Sequence, residues 1–358
     1  MSDPRPRLAD FSLEGLRARL GAAGVQPYRA EQIAGWLYGR GVDDPEAMTD
    51  LPADLRAALG RDWRLRALEV AGVERSRDGT VKARLATEDG ELVEAVLIPE
   101  ERRTTLCLST QVGCPLECSF CATGAMGFRR NLATAEIVDQ VLRMRELLPP
   151  GRALTNVVFM GMGEPLLNLR AVVEAVRLLL HPKAFAFAPR RVTVSTAGLA
   201  PKIPELLAAV PVNLAVSLHA ATDAVRDRLV PLNRRFPLSA LLGTLRALPS
   251  VGPRRPVFIE YTLIEGVNET PADAERLAAL LRGLACKVNV IPLNPHPASS
   301  LRPPAPEVAD RFLGELARRG VTVTLRRSRG ADIAAACGQL ATRAVKAPAP
   351  TAEDAAGG

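Results

Sequence analysis

Cys114, Cys118 and Cys121 share the run Gly113-Cys-Pro-Leu-Glu-Cys-Ser-Phe-Cys121, a C-x₃-C-x₂-C array. Three thiolates on one loop suit three irons of a 4Fe–4S cluster and leave the fourth iron open to a non-protein ligand. Zinc is the competing reading. Structural zinc sites want four ligands, usually as two spaced pairs, and Cys107 or His219 would have to complete one here. A cluster of purely structural purpose would also use four cysteines. Six cysteines are too few to staple 358 residues, and four of them lie within Cys107–Cys121. Metal or redox chemistry in a reducing compartment is therefore expected.

An array of this kind needs a scaffold that presents it. From Thr105 onward, strand-like runs are expected at Thr105–Gln111, Thr155–Met160, Arg191–Ser195, Asn213–Leu218, Val257–Leu263 and Lys287–Pro292. Helical patterns separate them at Thr134–Leu147, Leu169–Leu180, Ala200–Ala209, Leu238–Leu248, Pro271–Leu284 and Pro306–Arg319. Val321–Arg326 reads as a further strand and Ala331–Ala341 as a closing helix. Repeated β-α units imply an α/β fold with a parallel sheet. The sheet could curl into a partial barrel or stay open and doubly wound; periodicity does not separate the two. In both, reactive groups gather at the C-terminal ends of the strands. The cysteine array follows the first strand. Gly161-Met-Gly-Glu-Pro165 follows the second, where Gly163 would let backbone approach a ligand and Glu164 could accept a hydrogen bond. Ser195 ends the third strand, Ser217, Leu218 and His219 close the fourth, and Asn294 follows the sixth. Alone, each would cap a turn; their recurrence on one rim points to a ligand site.

Upstream, residues 1–65 read as a small helical unit. Leu16, Leu20, Ile33, Trp36, Leu37, Leu51, Leu55 and Leu59 recur at helical spacings, punctuated by Gly21, Gly24, Pro27 and Gly41. Residues 66–104 change character. Three short strands, Ala67–Val73, Val81–Thr87 and Glu91–Ile98, are joined by Asp-Gly turns and form a β-rich linker or extension of the domain that follows. Residues 105–344 make the β-α domain, and the Ala/Pro/Gly-rich residues 345–358 read as a disordered tail.

Composition narrows the function classes. No apolar run reaches the roughly 20 residues needed to span a bilayer. The opening Met1–Arg7 has no apolar signal core, so a cytoplasmic protein with no membrane partner is expected. The net charge of +7 suits an anionic partner. Only five of the 46 cations are Lys, and Arg pairs bidentately with phosphate. Arg rises together with Ala, Pro and Gly, however, so compositional drift explains the bias equally well.

The cysteine array, with Phe120 just before its last Cys, resembles the radical S-adenosylmethionine (SAM) superfamily. The likeness extends over roughly residues 10–342. Pro27–Tyr38, Met160-Gly-Met-Gly-Glu-Pro-Leu-Leu-Asn168, Val216-Ser-Leu-His219, Glu260-Tyr-Thr-Leu263 and Arg329-Gly-Ala-Asp-Ile-Ala-Ala-Ala-Cys-Gly-Gln-Leu340 resemble the RlmN family. The resemblance implies a partial (β/α)₆ radical SAM barrel with a small N-terminal helical domain and a short β linker segment. It implies a 4Fe–4S cluster on Cys114, Cys118 and Cys121, and SAM held near Phe120, Gly163, Glu164, Ser195, Ser217, Leu218, His219 and Asn294. Its substrates would be 23S rRNA and, in some members, tRNA, methylated at adenine C2. The enzyme would be a monomer fed by an electron donor such as flavodoxin or ferredoxin.

Adenine C2 is electron-poor and offers no nucleophilic lone pair, so polar methyl transfer from SAM has little to attack. In the family a cysteine matched by Cys337 is first methylated. A radical made from a second SAM then removes hydrogen from that methyl group, and the carbon adds to C2. Glu94 matches the base that takes the C2 proton, and Cys107 the thiol that releases the RNA by forming a disulfide. Without the resemblance, Cys107 and Cys337 would read as core cysteines and Glu94 as a solvent-facing strand residue; Cys286 keeps the core reading. The helical unit would dock RNA through Arg29, Arg40 and Arg61, with Trp36 and Tyr38 in its core. Arg129, Arg130, Arg234, Arg235, Arg326, Arg327 and Arg329 are rim candidates. Three rivals stand beside this reading: the sister family that methylates C8, a radical SAM enzyme of small molecules, and a non-catalytic RNA-binding protein with a structural metal.

Overall fold

The computed structural model describes residues 3–342; the tail expected at 345–358 lies outside them. Among the described residues the chain forms a ten-stranded sheet and a two-stranded ribbon. In chain order the strands are β1 (Leu68–Arg75), β2 (Val81–Thr87), β3 (Leu92–Pro99), β4 (Thr104–Cys107), β5 (Gln111–Gly113), β6 (Phe128–Asn131), β7 (Asn156–Phe159), β8 (Val192–Thr196), β9 (Asn213–Ser217), β10 (Val257–Leu263), β11 (Cys286–Pro292) and β12 (Val323–Leu325). The large sheet runs β1-β2-β3-β4-β7-β8-β9-β10-β11-β12, with β5 and β6 paired separately.

From β4 to β12 every neighbouring pair is parallel. The strands follow in sequence order with no reversal. Right-handed crossovers in unbroken order put every connecting helix on one face, which curls the sheet, whereas a doubly wound sheet needs a reversal point. The partial barrel is thus the outcome of the two architectures left open above. Val157, Val194, Leu214, Ala215, Ile259, Tyr261, Val288 and Val290 are buried along its strands, as expected for a sheet covered on both faces.

Three expectations are corrected. The β-rich segment is an extension of the barrel and not a linker: β1–β3 form an antiparallel meander whose third strand pairs with β4, so the barrel sheet continues into it. Val93, Ala95, Val96 and Leu97 are buried on β3, which covers what would be an exposed barrel edge. The first strand stops at Cys107 instead of Gln111. The backbone turns at Ser109, whose hydroxyl donates to the Glu94 carbonyl (2.6 Å) and whose N–H is taken by the Gln140 side chain (2.9 Å). Gln111–Gly113 then pairs with β6, and this ribbon brackets the cysteine array. The closing helix is only a single turn, Ala331–Ile333. Gly330 and Ala334 on either side of it are left-handed (φ 67° and 50°), and Gly338 follows at 84°. Residues 334–341 therefore form a loop whose backbone groups bond to the rest of the molecule. Two α-helices, Ala122–Ala125 and Asp223–Leu229, were not expected.

The helical unit comprises Leu13–Ala22, Arg29–Ala34 and Ala53–Asp62, with π-helical Gly35–Arg40 between the last two. Its Leu16, Ile33, Leu37, Tyr38 and Leu59 belong to the same continuous apolar core as the barrel. Asp10 accepts from the Ala135 N–H at the start of helix Thr134–Glu146, and Arg145 near its end donates to the Tyr38 and Gly39 carbonyls. Between them Arg66 pairs with Asp139 at 3.0 Å. The unit lies along that helix from end to end.

Candidate active site

The cysteine loop leaves the β5–β6 ribbon at Gly113. A side chain there would strike the Gly127 carbonyl at 1.8 Å, so the two arms of the loop touch through bare backbone. Cys121 opens helix Ala122–Ala125. Leu116, Cys118 and Phe120 pack on a small apolar cluster of Ala197, Leu229, Val230, Ile264 and Leu293. Burial raises the Cys114 thiol to about 12 and Cys118 well above its ordinary value, and the neighbouring cysteines push both further. Buried thiols of this kind fit a site completed by cationic iron, which favours the thiolate that burial disfavours.

The rim residues expected around SAM gather beside this loop. His219 is buried and left-handed (φ 59°), and its ring meets Phe120 edge-on at 4.6 Å. Its Nδ1 accepts the Thr262 N–H (3.0 Å), so the proton sits on Nε2. Burial, with Arg226 nearby, lowers its pKa to about 3 and keeps it neutral. Arg226, fully buried, was missed with its helix. It donates to the carbonyls of Ala197, Ser217 and Leu218 and to Asn233, fixing the ends of β8 and β9 together. Ser195 and Leu218 are buried at those ends and Ser217 is half-buried.

Glu164 accepts hydrogen bonds within the protein itself. Its carboxylate is committed to the N–H groups of Leu166 (3.0 Å) and Ala197 (2.7 Å), so it ties the β7 loop to the β8 loop. Burial nonetheless raises its pKa. Gly163 is left-handed at 97°, and a Cβ there would come within 2.5 Å of the Gln111 side chain. Gln111 in turn receives the Glu164 N–H (2.8 Å).

Cys107, Cys337 and Glu94 meet at the same end of the barrel. Cys107, the last residue of β4, is buried. Burial lifts its thiol to about 12, and nearby Cys337 adds to the rise. The residue surface of Cys337 reaches solvent, while protein crowds its sulfur enough that burial raises its pKa. Arg326 opposes that rise and is itself held charged by Cys337, Glu260 and Cys107 against the cost of burial. The backbone around Cys337 is pinned. Asn294 donates to its carbonyl (3.0 Å) and accepts from Ser328. The Gly338 and Leu340 carbonyls accept from the Ala122 N–H and the Thr123 hydroxyl, each at 2.7 Å. Thus the helix that follows Cys121 holds the Cys337 loop directly.

Glu94 is almost wholly buried, against the expectation for an isolated strand Glu. It accepts the Ala341 N–H (2.9 Å) and stands 3.4 Å from Lys82 Nζ. Burial raises its pKa while Lys82 pulls it down. Glu260, not singled out from the sequence, is also buried beneath Arg326. One of its oxygens takes the Asn289 amide (2.8 Å); the other has no hydrogen-bond partner among the described residues and faces Arg326 at 3.7 Å. The signal was present in the motif Glu260–Leu263. Cys286 is half-buried at the start of β11, at the opposite end of the barrel.

The candidate RNA cations divide. Arg129 binds Glu91, Arg130 binds Asp89 and Glu136, Arg61 binds Asp62, and Arg329 binds Asp78. Arg40 stacks over Trp36 at 3.8 Å, and Trp36 Nε1 donates to Asp50. Trp36 is thus half-buried with a polar edge, whereas Tyr38 is core.

A partial barrel with a three-cysteine loop at its mouth defines a radical SAM enzyme, and the profile described as the Radical SAM superfamily matches residues 108–280. A second profile, the ribosomal RNA large subunit methyltransferase N-terminal domain, matches residues 7–64. The chain is 50% identical to a dual-specificity RNA methyltransferase RlmN of Anaeromyxobacter dehalogenans, over 95% of this chain and 93% of that one. It is 49% identical to the namesake of Geobacter sulfurreducens, over 92% and 90%. A crystal structure of a radical SAM methyltransferase from Sphaerobacter thermophilus superposes with a TM-score of 0.88 at 48% identity, covering 94% of this chain and 99% of that one. The chain belongs to the RlmN family of radical SAM RNA methyltransferases. Its cofactors are a 4Fe–4S cluster and SAM.

Proposed function

We propose that the protein forms 2-methyladenosine in 23S rRNA, near the peptidyl-transferase centre, through a methylated Cys337 and an RNA adduct resolved by Cys107. The observation that carries this reading is the meeting of Cys107, Cys337 and Glu94 at one mouth, although they lie on β4, a C-terminal loop and β3. Bound to Cys114, Cys118 and Cys121, the cluster would cleave SAM reductively and supply a 5′-deoxyadenosyl radical. Phe120, Gly163, Ser195, Ser217, Leu218, His219 and Asn294 line the SAM side of the mouth, with His219 Nε2 limited to donating. Glu164 serves there mainly by joining the β7 and β8 loops.

Cys337 carries the methyl carbon on its sulfur and presents it from a loop fixed by Asn294 and by helix Ala122–Ala125. Once that carbon is joined to C2, the adduct would pass its odd electron back to the cluster, and Glu94 accepts the C2 proton, since a carboxylate in an apolar setting is a better base than one in water. The Cys107 thiolate then attacks the Cys337 sulfur; the S–S bond forms as the S–C bond to the RNA breaks, the electron pair of that bond stays with the RNA carbon, and the carbon takes a proton to become the C2 methyl group. Arg326 favours the thiolate at both sulfurs. The target base must leave its stack to reach this mouth. The relatives' name, dual-specificity RNA methyltransferase, supports tRNA as a second substrate. A flavodoxin or ferredoxin as electron donor and a cytoplasmic monomer complete the proposal; among the described residues no helix is long and apolar enough to cross a membrane.

The test uses RNA deuterated at adenine C2 or at C8. Deuterium lost only from C2, read by mass spectrometry of the nucleosides, is the expected outcome. Loss from C8 alone would replace this reading with the C8 reaction, and no methylation of either RNA would end it.

A further inference from the structure

The Cys337 loop is held at two ends, and only one belongs to the mouth. Its far end is bonded to helix Ala122–Ala125 and to Glu94. Its near end, at Arg329–Asp332, is bonded to the turn between β1 and β2, some 250 residues earlier in the chain. The Asp78 carboxylate accepts the Gly330 N–H (2.9 Å) and pairs with Arg329 Nε (3.2 Å). The Asp78 carbonyl accepts from the Arg329 guanidinium (2.6 Å), which also reaches the Pro99 carbonyl (3.0 Å). Ser76 Oγ donates to Asp332 (2.6 Å), and the Arg77 N–H donates to the same carboxylate (3.3 Å).

The turn is itself rigid. Asp78 takes the Thr80 N–H (2.9 Å), Ser76 N–H reaches the Thr80 carbonyl (2.8 Å), and Gly79 N–H reaches the Ser76 carbonyl (3.0 Å). The fit between turn and loop is close: a Cβ at Gly330 would lie 2.7 Å from Thr80 Cγ2. Burial opposes the charge on Asp78, but the bonds from Thr80, Gly330 and Ser76 prevail and lower its pKa to about 2. Past this anchor residues 334–342 run without a helix to stiffen them, and Ala334 at φ 50° redirects the chain toward Cys337.

We infer that the β1–β2 turn is a strut for the methyl-carrying loop, with Asp78 a positioning residue that sets where Cys337 stands between SAM and the RNA base. This rests on the role proposed for Cys337. It also gives the antiparallel meander a purpose besides covering the edge of β4. Carbon–hydrogen abstraction and bonding to C2 both need the methyl carbon held in place, and a displacement on the order of 1 Å can cost about a hundredfold in rate.

The experiment compares wild-type holoenzyme with Asp78→Ala and Asp78→Asn. Asparagine keeps one oxygen, which can accept from Gly330 or from Thr80 but not from both, since the two N–H groups bond to different Asp78 oxygens, and it loses the charge that holds Arg329. Hydrogen exchange of the peptides covering 330–341 is read first, because it does not depend on turnover. Asp78→Ala should lose protection there while peptides of the cysteine loop stay as in wild type. The second reading is 5′-deoxyadenosine released per methylated RNA. It should rise about tenfold in Asp78→Ala and less in Asp78→Asn, which keeps one of the two bonds, because a loose loop wastes SAM cleavage. A general loss of stability would lower both products together and leave that ratio unchanged. Unaltered exchange in 330–341 would overturn the strut, and loosened exchange with an unaltered ratio would overturn the positioning role. A wild-type enzyme with no methyl group on the Cys337 peptide would refute the mechanism and leave the exchange result to judge the contact.

Discussion

Burial decides what Glu94 can do. A strand carboxylate in water would be too weak a base to matter, but apolar surroundings raise its pKa and only Lys82 and the Ala341 N–H offset them. A base must be unprotonated, so release of product should fail as pH falls through this raised pKa, at a higher pH than an ordinary carboxylate would allow. Glu94→Gln should slow release about 10²- to 10⁴-fold and leave RNA attached to protein, which a denaturing gel would reveal. The three array cysteines act earlier. Cys114→Ala, Cys118→Ala or Cys121→Ala should each lose iron and sulfide, measured on anaerobically purified protein, since two thiolates cannot hold the cluster with its open iron in place. A full cluster spectrum with SAM cleavage in any of them would refute the assignment.

At the scale of elements, the sequence marked periodic segments well and irregular ones poorly. β2 and β10 and helix Leu169–Leu180 stand where alternation and helical spacing put them. The segment Ala331–Ala341 misled because its alanines favour a helix, while Gly330, Gly338 and bonds to distant backbone impose a loop. Local propensity does not contain those partners. The continuity of β1–β3 with the barrel stayed open for a similar reason: alternation gives a strand but not its neighbour. The cysteine array was legible by spacing alone. Cys107, Cys337 and Glu94 were legible only through the family resemblance, and Glu260, Arg226 and Asp78 emerge from the fold. The β7 loop offers a test at this scale. Gly163→Ala would place a methyl group against Gln111 at a left-handed position, and should cost about 3 kcal/mol in urea unfolding. Little change in stability would mean that the loop is looser than its contacts suggest.

Over the whole molecule, three parts of the chain far apart in sequence build one mouth: the meander supplies Glu94 and the strut, the barrel supplies Cys107 and the cluster loop, and the C-terminal segment supplies Cys337. The helical unit shares the barrel's core and lies along helix Thr134–Glu146, so it extends the surface as a fixed part of the body. The central claim is that two thiols act at different times on one RNA. Its most direct measurement takes Cys107→Ala and Cys337→Ala, each expressed with native RNA, separated under denaturing conditions, digested with nuclease and protease, and weighed as peptides. Breaking the adduct needs a second sulfur, so Cys107→Ala should carry a nucleotide on Cys337, and Cys337→Ala should carry none. Normal turnover by Cys107→Ala, or identical peptides from both variants, would contradict the account.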